Sequence, residues 1–378
     1  MLIIIILCIL IAILSIYLKK SKILFFIAFL FAWIIMAFVY DIADETIYIS
    51  RYSRPSLWIG QTEFLYALII RIFHVFHFSF YQFKAAITLI QLLLVSSTIK
   101  RYAKYPAFVL MLYMIYPFAL NVCQMRNALA TAIIIFALRF ILSDDVKATR
   151  KIGPFTINDL LYILFIIIAT GIHTVSLFWG LLLIAKKLSL KSTIIFTFIF
   201  NMFFTFIFTP ENLLKIFSLF GAINRMAVYL SSDYRKIYQS VYFHSAILRV
   251  SAYAIMIFAI LIWLQMTEKK EKSPAINFAI KSNVIVLCIV SVMVQYTTEV
   301  YRIQEGMTVF NYIIISNSIK QSTKGYLATT PKNVLIHIAL FAFSIINLWM
   351  LVLRDDSMVK TIIQPLFNNN FFFEVFKL

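Results

Sequence analysis

Apolar runs of about 20 residues recur from residue 2 to residue 353 of this chain, and no other feature limits its fold so strongly. A helix of about 20 apolar residues crosses the hydrocarbon core of a bilayer, where only helices and closed barrels satisfy every backbone polar group. The composition agrees, since 62% of the 378 residues are hydrophobic and only 13% are charged. That balance leaves no room for a large soluble domain. The chain therefore reads as an all-α polytopic integral membrane protein, with one transmembrane domain over residues 1-378.

The first apolar run, Leu2 to Leu18, has no basic residue before it and the cluster Lys19-Lys20-Ser21-Lys22 after it, with no small-residue cleavage site. This order predicts a retained anchor rather than a removable signal peptide. Cys8, Cys123 and Cys288 are far apart and lack metal-ligand spacing, so neither a disulfide nor structural zinc is expected. The excess of 34 Lys and Arg over 16 Asp and Glu could suit a nucleic acid. Membrane topology explains it better, because cytoplasmic loops are enriched in Lys and Arg. No nucleic-acid partner is expected.

Six short clusters hold 19 of the 34 basic residues: Lys19 to Lys22, Lys100 to Lys104, Lys147 to Lys151, Lys186 to Lys191, Lys269 to Lys281 and Lys320 to Lys332. Placing all six in the cytoplasm orients the chain. About twelve spans result, near 2 to 17, 23 to 40, 83 to 98, 106 to 121, 127 to 142, 160 to 171, 174 to 185, 192 to 209, 246 to 266, 275 to 294, 306 to 319 and 334 to 353. Both termini then lie outside, with external loops near 41-82, 210-245 and 295-305 and an external tail over 354-378. A GT-C-like arrangement is one architecture that this description admits. No internal repeat suggests the inverted halves of many transporters.

Two segments do not fit as simple spans. Residues 41 to 82 must begin and end outside, yet Phe64 to Phe80 is apolar and carries Arg71, His74 and His77 at three-residue spacing. Such a stripe suits an interfacial or re-entrant helix. Leu160 to Ala185 lies between two cytoplasmic clusters and must cross an even number of times. Two short helices turning near Gly171-Ile172-His173 would put His173 at an outward vertex.

The unusual polar residues then all fall outside. Asp41, Asp44, Tyr48 and Tyr52 have the spacing of one helical face, which serves either a solvated interfacial helix or a site. Glu63 opens the next helix, where a carboxylate complements the positive dipole end. Asn121, Gln124, Arg126 and Asn127 cluster between apolar runs. Arg126 either snorkels to lipid headgroups or offers a guanidinium fork to a diphosphate. His173 is either a structural ring satisfying a backbone carbonyl or a catalytic group. Arg225, Tyr229 and their neighbours in the loop from Pro210 to Ser245 mix aromatic and charged groups in a way that suits sugars. Arg302 precedes a span and has Glu299 and Glu305 as local ion-pair candidates. A divalent metal at Asp41 and Asp44 has little support, since two carboxylates do not define a site. No Gly-rich phosphate loop or HExxH is present.

These pieces resemble the EpsG family of polysaccharide polymerases, which belongs with the Wzy-like O-antigen and exopolysaccharide polymerases. The resemblance rests on Asp41...Asp44...Tyr48...Tyr52, Glu63, the run from Asn121 to Ala130, Ile172-His173-Thr174-Val175-Ser176 and Tyr301-Arg302. The family's arginine segment usually continues with Gln, and here Asn127 stands in its place. The resemblance implies transfer of a growing glycan from polyprenyl diphosphate onto the next lipid-linked repeat unit, outside the cytoplasmic membrane of a bacterium. It implies that Arg126 and Arg302 neutralise the departing diphosphate. His173 orients or deprotonates the acceptor, or helps to bind diphosphate. Asp44 or Glu63 serves as base or sugar ligand. Gln124, Asn127, Asp41, Tyr48, Tyr52, Arg225 and Tyr229 would line the glycan and diphosphate positions. It implies lipid-linked oligosaccharides and membrane lipids as partners, with a chain-length regulator and a flippase nearby, and no cofactor. A lipid-linked oligosaccharide flippase or a membrane acyltransferase would share the basic, polytopic character. A flippase, however, favours ionisable groups at mid-membrane depth, whereas here they gather at one face.

Overall fold

The structure is a computed structural model that describes residues 2–55, 63–142, 151–152, 154–209, 211–212, 243–267, 273–295, 298–320 and 330–375. Its helices follow the apolar runs. They are α1 (Leu2–Tyr17), α2 (Lys22–Phe38), α3 (Glu45–Ser53), α4 (Phe64–Val75), α5 (Phe80–Tyr102), α6 (Pro106–Ile115), α7 (Phe118–Cys123), α8 (Met125–Leu142), α9 (Ile157–Ile172), α10 (Leu182–Lys187), α11 (Leu190–Phe206), α12 (Phe243–Thr267), α13 (Pro274–Val286), α14 (Ile289–Gln295), α15 (Arg302–Asn317) and α16 (Pro331–Leu348), followed by short helical turns up to Val375. The only strands among the described residues are the antiparallel pair Lys151–Ile152 and Phe155–Thr156. Five stretches are long and apolar enough to cross a membrane: Phe80–Tyr102, Met125–Leu142, His244–Thr267, Pro274–Val294 and Pro331–Leu353. Six shorter apolar helices accompany them. The protein is an α-helical membrane protein.

Several expectations change in detail. The run expected as one span over 106 to 121 is two helices, α6 and α7, because Pro117 between them has no N–H to give the ladder. The stretch Phe64 to Phe80 forms the 12-residue helix α4, about 18 Å long and too short for a simple crossing. The chain from 160 to 185 does break at His173, where α9 ends and a 3-10 helix, Thr174–Leu181, begins.

The chain divides into two compact units, the first Met1–Gly180 with Thr308–Leu378 and the second Leu181–Met307. In the first, α8 packs between α5 and α9, while α2 packs on α5 and α6. Ala128, Ala130, Ala132 and Ala137 of α8 are all buried. Small side chains of this kind let helix backbones approach closely where lipid supplies no hydrophobic drive.

One end of this unit gathers basic clusters that are remote in sequence. Lys19, Lys20 and Lys104 stand over the Tyr105 ring at 5.5, 5.8 and 5.3 Å. Lys104 Nζ donates to the Ile319 carbonyl at 2.9 Å, and Asn333 clasps both backbone groups of Lys320. Three of the six clusters thus share one end, as a common cytoplasmic side requires. In the second unit, Lys281 Nζ donates to the Leu188 carbonyl at 2.9 Å, joining two more. There Asn201 of α11 donates to the Leu287 carbonyl and accepts from the Ser291 N–H, bridging the break between α13 and α14.

The tail over 354-378 is tied down in its described part. Thr361 and Asn369 accept the backbone N–H groups of Ala43 and Tyr40, Asn370 pairs with Val39, and the Tyr40 hydroxyl donates to Glu374 at 2.6 Å. The tail therefore lies beside the turn that follows α2.

Candidate functional site

Glu63 sits at the head of α4, outside the spanning helices, with 3% of its surface exposed. A lone carboxylate so placed would lose hydration without compensation. Both of its oxygens are engaged instead. Oε2 accepts from Arg126 Nη1 at 2.5 Å, and Oε1 accepts from His173 Nδ1 at 2.7 Å and from the Thr174 N–H at 3.4 Å. Three residues that the sequence singles out separately thus converge on one carboxylate.

Local structure explains each placement. Arg126 lies in the first turn of α8, where the helix dipole disfavours a cation. Glu63 offsets that conflict, and the Arg126 N–H points to the Tyr48 hydroxyl at 3.4 Å. His173 ends α9, and its N–H closes the last turn on Ala169. Gly171 brings α9 and α4 together, because a β-carbon there would stand 2.7 Å from Leu65 Cδ1 and 3.2 Å from Leu65 Cβ. A larger residue would push Glu63 away from His173.

Burial by itself would push the Glu63 carboxyl up. The hydrogen bond from His173, the charges of Arg126 and His173 and the Thr174 N–H outweigh it and hold the group below the usual carboxylate range. Glu63 is therefore an anion with occupied oxygens, a poor proton acceptor and a good anchor. An ionised carboxylate accepts only, so His173 must donate from Nδ1, and its neutral form carries the basic lone pair on Nε2. Of the three, the Arg126 side chain is the most exposed, at 19% against 4% for Glu63 and 8% for His173. The guanidinium forms the open edge of the cluster.

The remaining candidates divide. Gln124 and Asn127 are buried next to Arg126 and bond each other, Asn127 Nδ2 to Gln124 Oε1 at 3.2 Å. Tyr48 touches the site through its hydroxyl. Tyr52 is buried, donates to the Phe78 carbonyl at 2.7 Å, and accepts on its own carbonyl from His74 Nε2. It braces α3 against the start of α5. The single helical face expected for Asp41, Asp44, Tyr48 and Tyr52 does not form. Asp41 and Asp44 precede α3 with φ of 54° and 65°, left-handed values that Asp tolerates better than most residues. Both are exposed, and no group of three or more His, Cys, Asp or Glu is placed to hold a metal ion among the described residues. Arg302 opens α15 in the second unit, and Glu305 makes no ion pair with it. Arg225 and Tyr229 lie outside the described residues.

The sequence reading missed Glu45 and Lys84. Lys84 Nζ donates to Glu45 Oε1 at 2.7 Å and to the Val39 carbonyl at 2.5 Å, and Glu45 Oε2 accepts the Asp41 N–H at 2.6 Å. This pair pins the acidic turn to α5. The available signal was a lysine inside an otherwise uncharged stretch of α5, a position that demands a partner.

The fold and the site thus define a multi-span helical membrane protein in which an arginine and a histidine are clamped on one buried carboxylate at helix ends. The model of the EpsG family matches residues 22–359, and the chain belongs to that family, which is of the Wzy-like polysaccharide polymerase type. Neither a curated protein nor a solved structure matches the chain.

Proposed function

We propose that this protein joins oligosaccharide repeat units carried on polyprenyl diphosphate into a surface polysaccharide, at the outer face of the cytoplasmic membrane of a bacterium, in a fold with about twelve crossings. Family membership supports a polysaccharide polymerase role. The observation that carries the chemistry is the cluster of Arg126 and His173 on Glu63. A glycosyl transfer from diphosphate needs an acceptor oxygen at the anomeric carbon, a sink for its proton, and countercharge for the departing diphosphate.

In this reading His173 takes the acceptor proton at Nε2 while Glu63 fixes its tautomer and orientation, as a buried carboxylate does for a catalytic histidine. The acceptor oxygen bonds to the anomeric carbon as the bond from that carbon to the phosphate oxygen breaks. The electron pair leaves on the diphosphate, which the Arg126 fork and the N-terminus of α8 receive. A sugar diphosphate is already activated, so the scheme calls for no nucleotide. Asp41 and Asp44, presented on their pinned turn, contact the glycan rather than the reacting bond. Arg302, Arg225 and Tyr229 remain proposed substrate contacts, and the external loop near 210-245 sets glycan specificity. A flippase and a chain-length regulator would work alongside.

The test is deletion of the gene, with surface polysaccharide resolved by length, followed by complementation with Arg126→Ala and His173→Ala. Long chains should vanish while single-repeat material persists, and neither variant should restore them. A ladder that survives deletion rejects the function, and one restored by both variants rejects the site.

A further inference from the structure

Residues 19–22, 100–104 and 320–332 hold nine Lys and Arg and no Asp or Glu, and the first unit gathers the three segments at one end. There the ammonium groups of Lys19, Lys20 and Lys104 stand 5.5, 5.8 and 5.3 Å from the centre of the Tyr105 ring. That ring is buried at 5% exposure and fixed by its hydroxyl, which donates to the Ile319 carbonyl at 3.2 Å. Lys104 donates to the same carbonyl at 2.9 Å, which occupies one of its three N–H donors. Among the described residues, neither Lys19 nor Lys104 forms an ion pair with a carboxylate. Partial burial holds the Lys19 ammonium below the usual lysine range, so an anion placed beside it would restore what desolvation costs.

Lysines that only mark a membrane side can spread through solvent, where their mutual repulsion is screened. These converge on one ring, whose negative face holds them together, and the segments that carry them supply no countercharge. The surroundings show where the anion comes from. Tyr17 and Leu18 before the lysine turn, and Ile23 and Phe26 after it, are exposed apolar side chains on helices of membrane character. A soluble phosphate makes no use of them, whereas a lipid offers an anionic head to the lysines and acyl chains to both apolar faces. The place is also remote from the Glu63 cluster. Arg126 opens α8, and the Tyr102 hydroxyl donates to the Arg139 carbonyl about 20 Å further along that helix, two residues before Lys104.

The geometry points to a binding site for the headgroup of an anionic phospholipid, in which Lys19, Lys20 and Lys104 take the phosphate oxygens on the Tyr105 platform and the acyl chains lie along α1 and α2. The site stands apart from the polymerase reading and does not depend on it.

The full-length protein in detergent micelles is titrated with phosphatidylglycerol and with phosphatidylcholine, and bound lipid is counted by native mass spectrometry. Phosphatidylglycerol should bind about tenfold or more tightly than phosphatidylcholine. Lys19→Gln combined with Lys104→Gln should reduce that preference about tenfold, while Lys186→Gln combined with Lys187→Gln, equal in charge, should leave it intact. Tyr105→Leu should lose the preference with the charge unchanged, and Tyr105→Phe should keep it. Absence of a preference in the parent, or its survival in the Lys19 and Lys104 variant, overturns the site. An equal fall in both lysine pairs reduces the binding to the general attraction of a basic chain and overturns it as well. So does a preference that survives Tyr105→Leu in a protein with the parent's melting temperature; if that variant does not fold, the two lysine pairs decide. Displacement of phosphatidylglycerol by equimolar inorganic pyrophosphate reassigns the site to a soluble phosphate and rejects the lipid.

Discussion

Lys84 Nζ lies 2.7 Å from Glu45 Oε1, with both side chains almost wholly buried, at 3% and 4% exposure. The two residues are 39 positions apart and belong to different helices, and their pairing fixes the turn that carries Asp41 and Asp44. Buried ion pairs seldom add much net stability, but breaking one leaves a charge without compensation. Lys84→Met is therefore expected to destabilise the protein by about 3–5 kcal/mol. The double substitution Lys84→Met with Glu45→Leu is expected to recover a large part of that loss. Thermal unfolding in detergent of both variants and the parent decides the matter, and a double variant no better than the single one contradicts it.

Gly171 and Gly180 make a matched pair. A β-carbon at Gly171 meets Leu65 at 2.7 Å, whereas one at Gly180 meets nothing within 4 Å. Gly171→Ala should cost about 1–3 kcal/mol by overpacking and should reduce polymer length by prising α4 from α9. Gly180→Ala should leave both unchanged. Equal behaviour of the two variants in the same unfolding and ladder assays removes the positioning role given to Gly171.

The acid dependence follows from Glu63. Its carboxyl is held below the ordinary value of 4.5, so its contribution to stability is present above that value and is lost as the pH falls through the lower folded value. Wild-type protein should melt at a higher temperature than Glu63→Gln at pH 7, and the difference should narrow as the pH falls below 4.5. A constant difference across that range excludes Glu63 as the source.

His173→Asn separates anchoring from catalysis. An asparagine amide can place its nitrogen near the position of Nδ1 and keep the bond to Glu63, but it offers no base. Polymer synthesis should fall by about 10²- to 10⁴-fold while the melting temperature stays near that of the parent. Restoration of activity by asparagine would make the histidine a structural anchor only.

The helices were legible because each rests on local information. The length of an apolar run sets α1, α2, α5 and α8, and a charge or histidine stranded among apolar residues marked Arg126 and His173. Of the six basic clusters expected on one side, three meet at one end of the first unit, where Lys19, Lys20 and Lys104 stand over one tyrosine. Backbone conformation at the acidic turn was not legible, because helical spacing in sequence does not reveal that Asp41 and Asp44 take positive φ.

What the sequence determined by itself is the set of membrane-length elements and the identity of the polar residues that such a chain tolerates only with partners. Which partner each one takes was decided by tertiary structure. Glu63 reaches His173 across 110 positions because Gly171 lets two helices close, and Glu45 finds Lys84 because α3 and α5 pack. Burial makes pairing obligatory, but the choice of partner depends on the distance between helices, which no local stretch of sequence encodes.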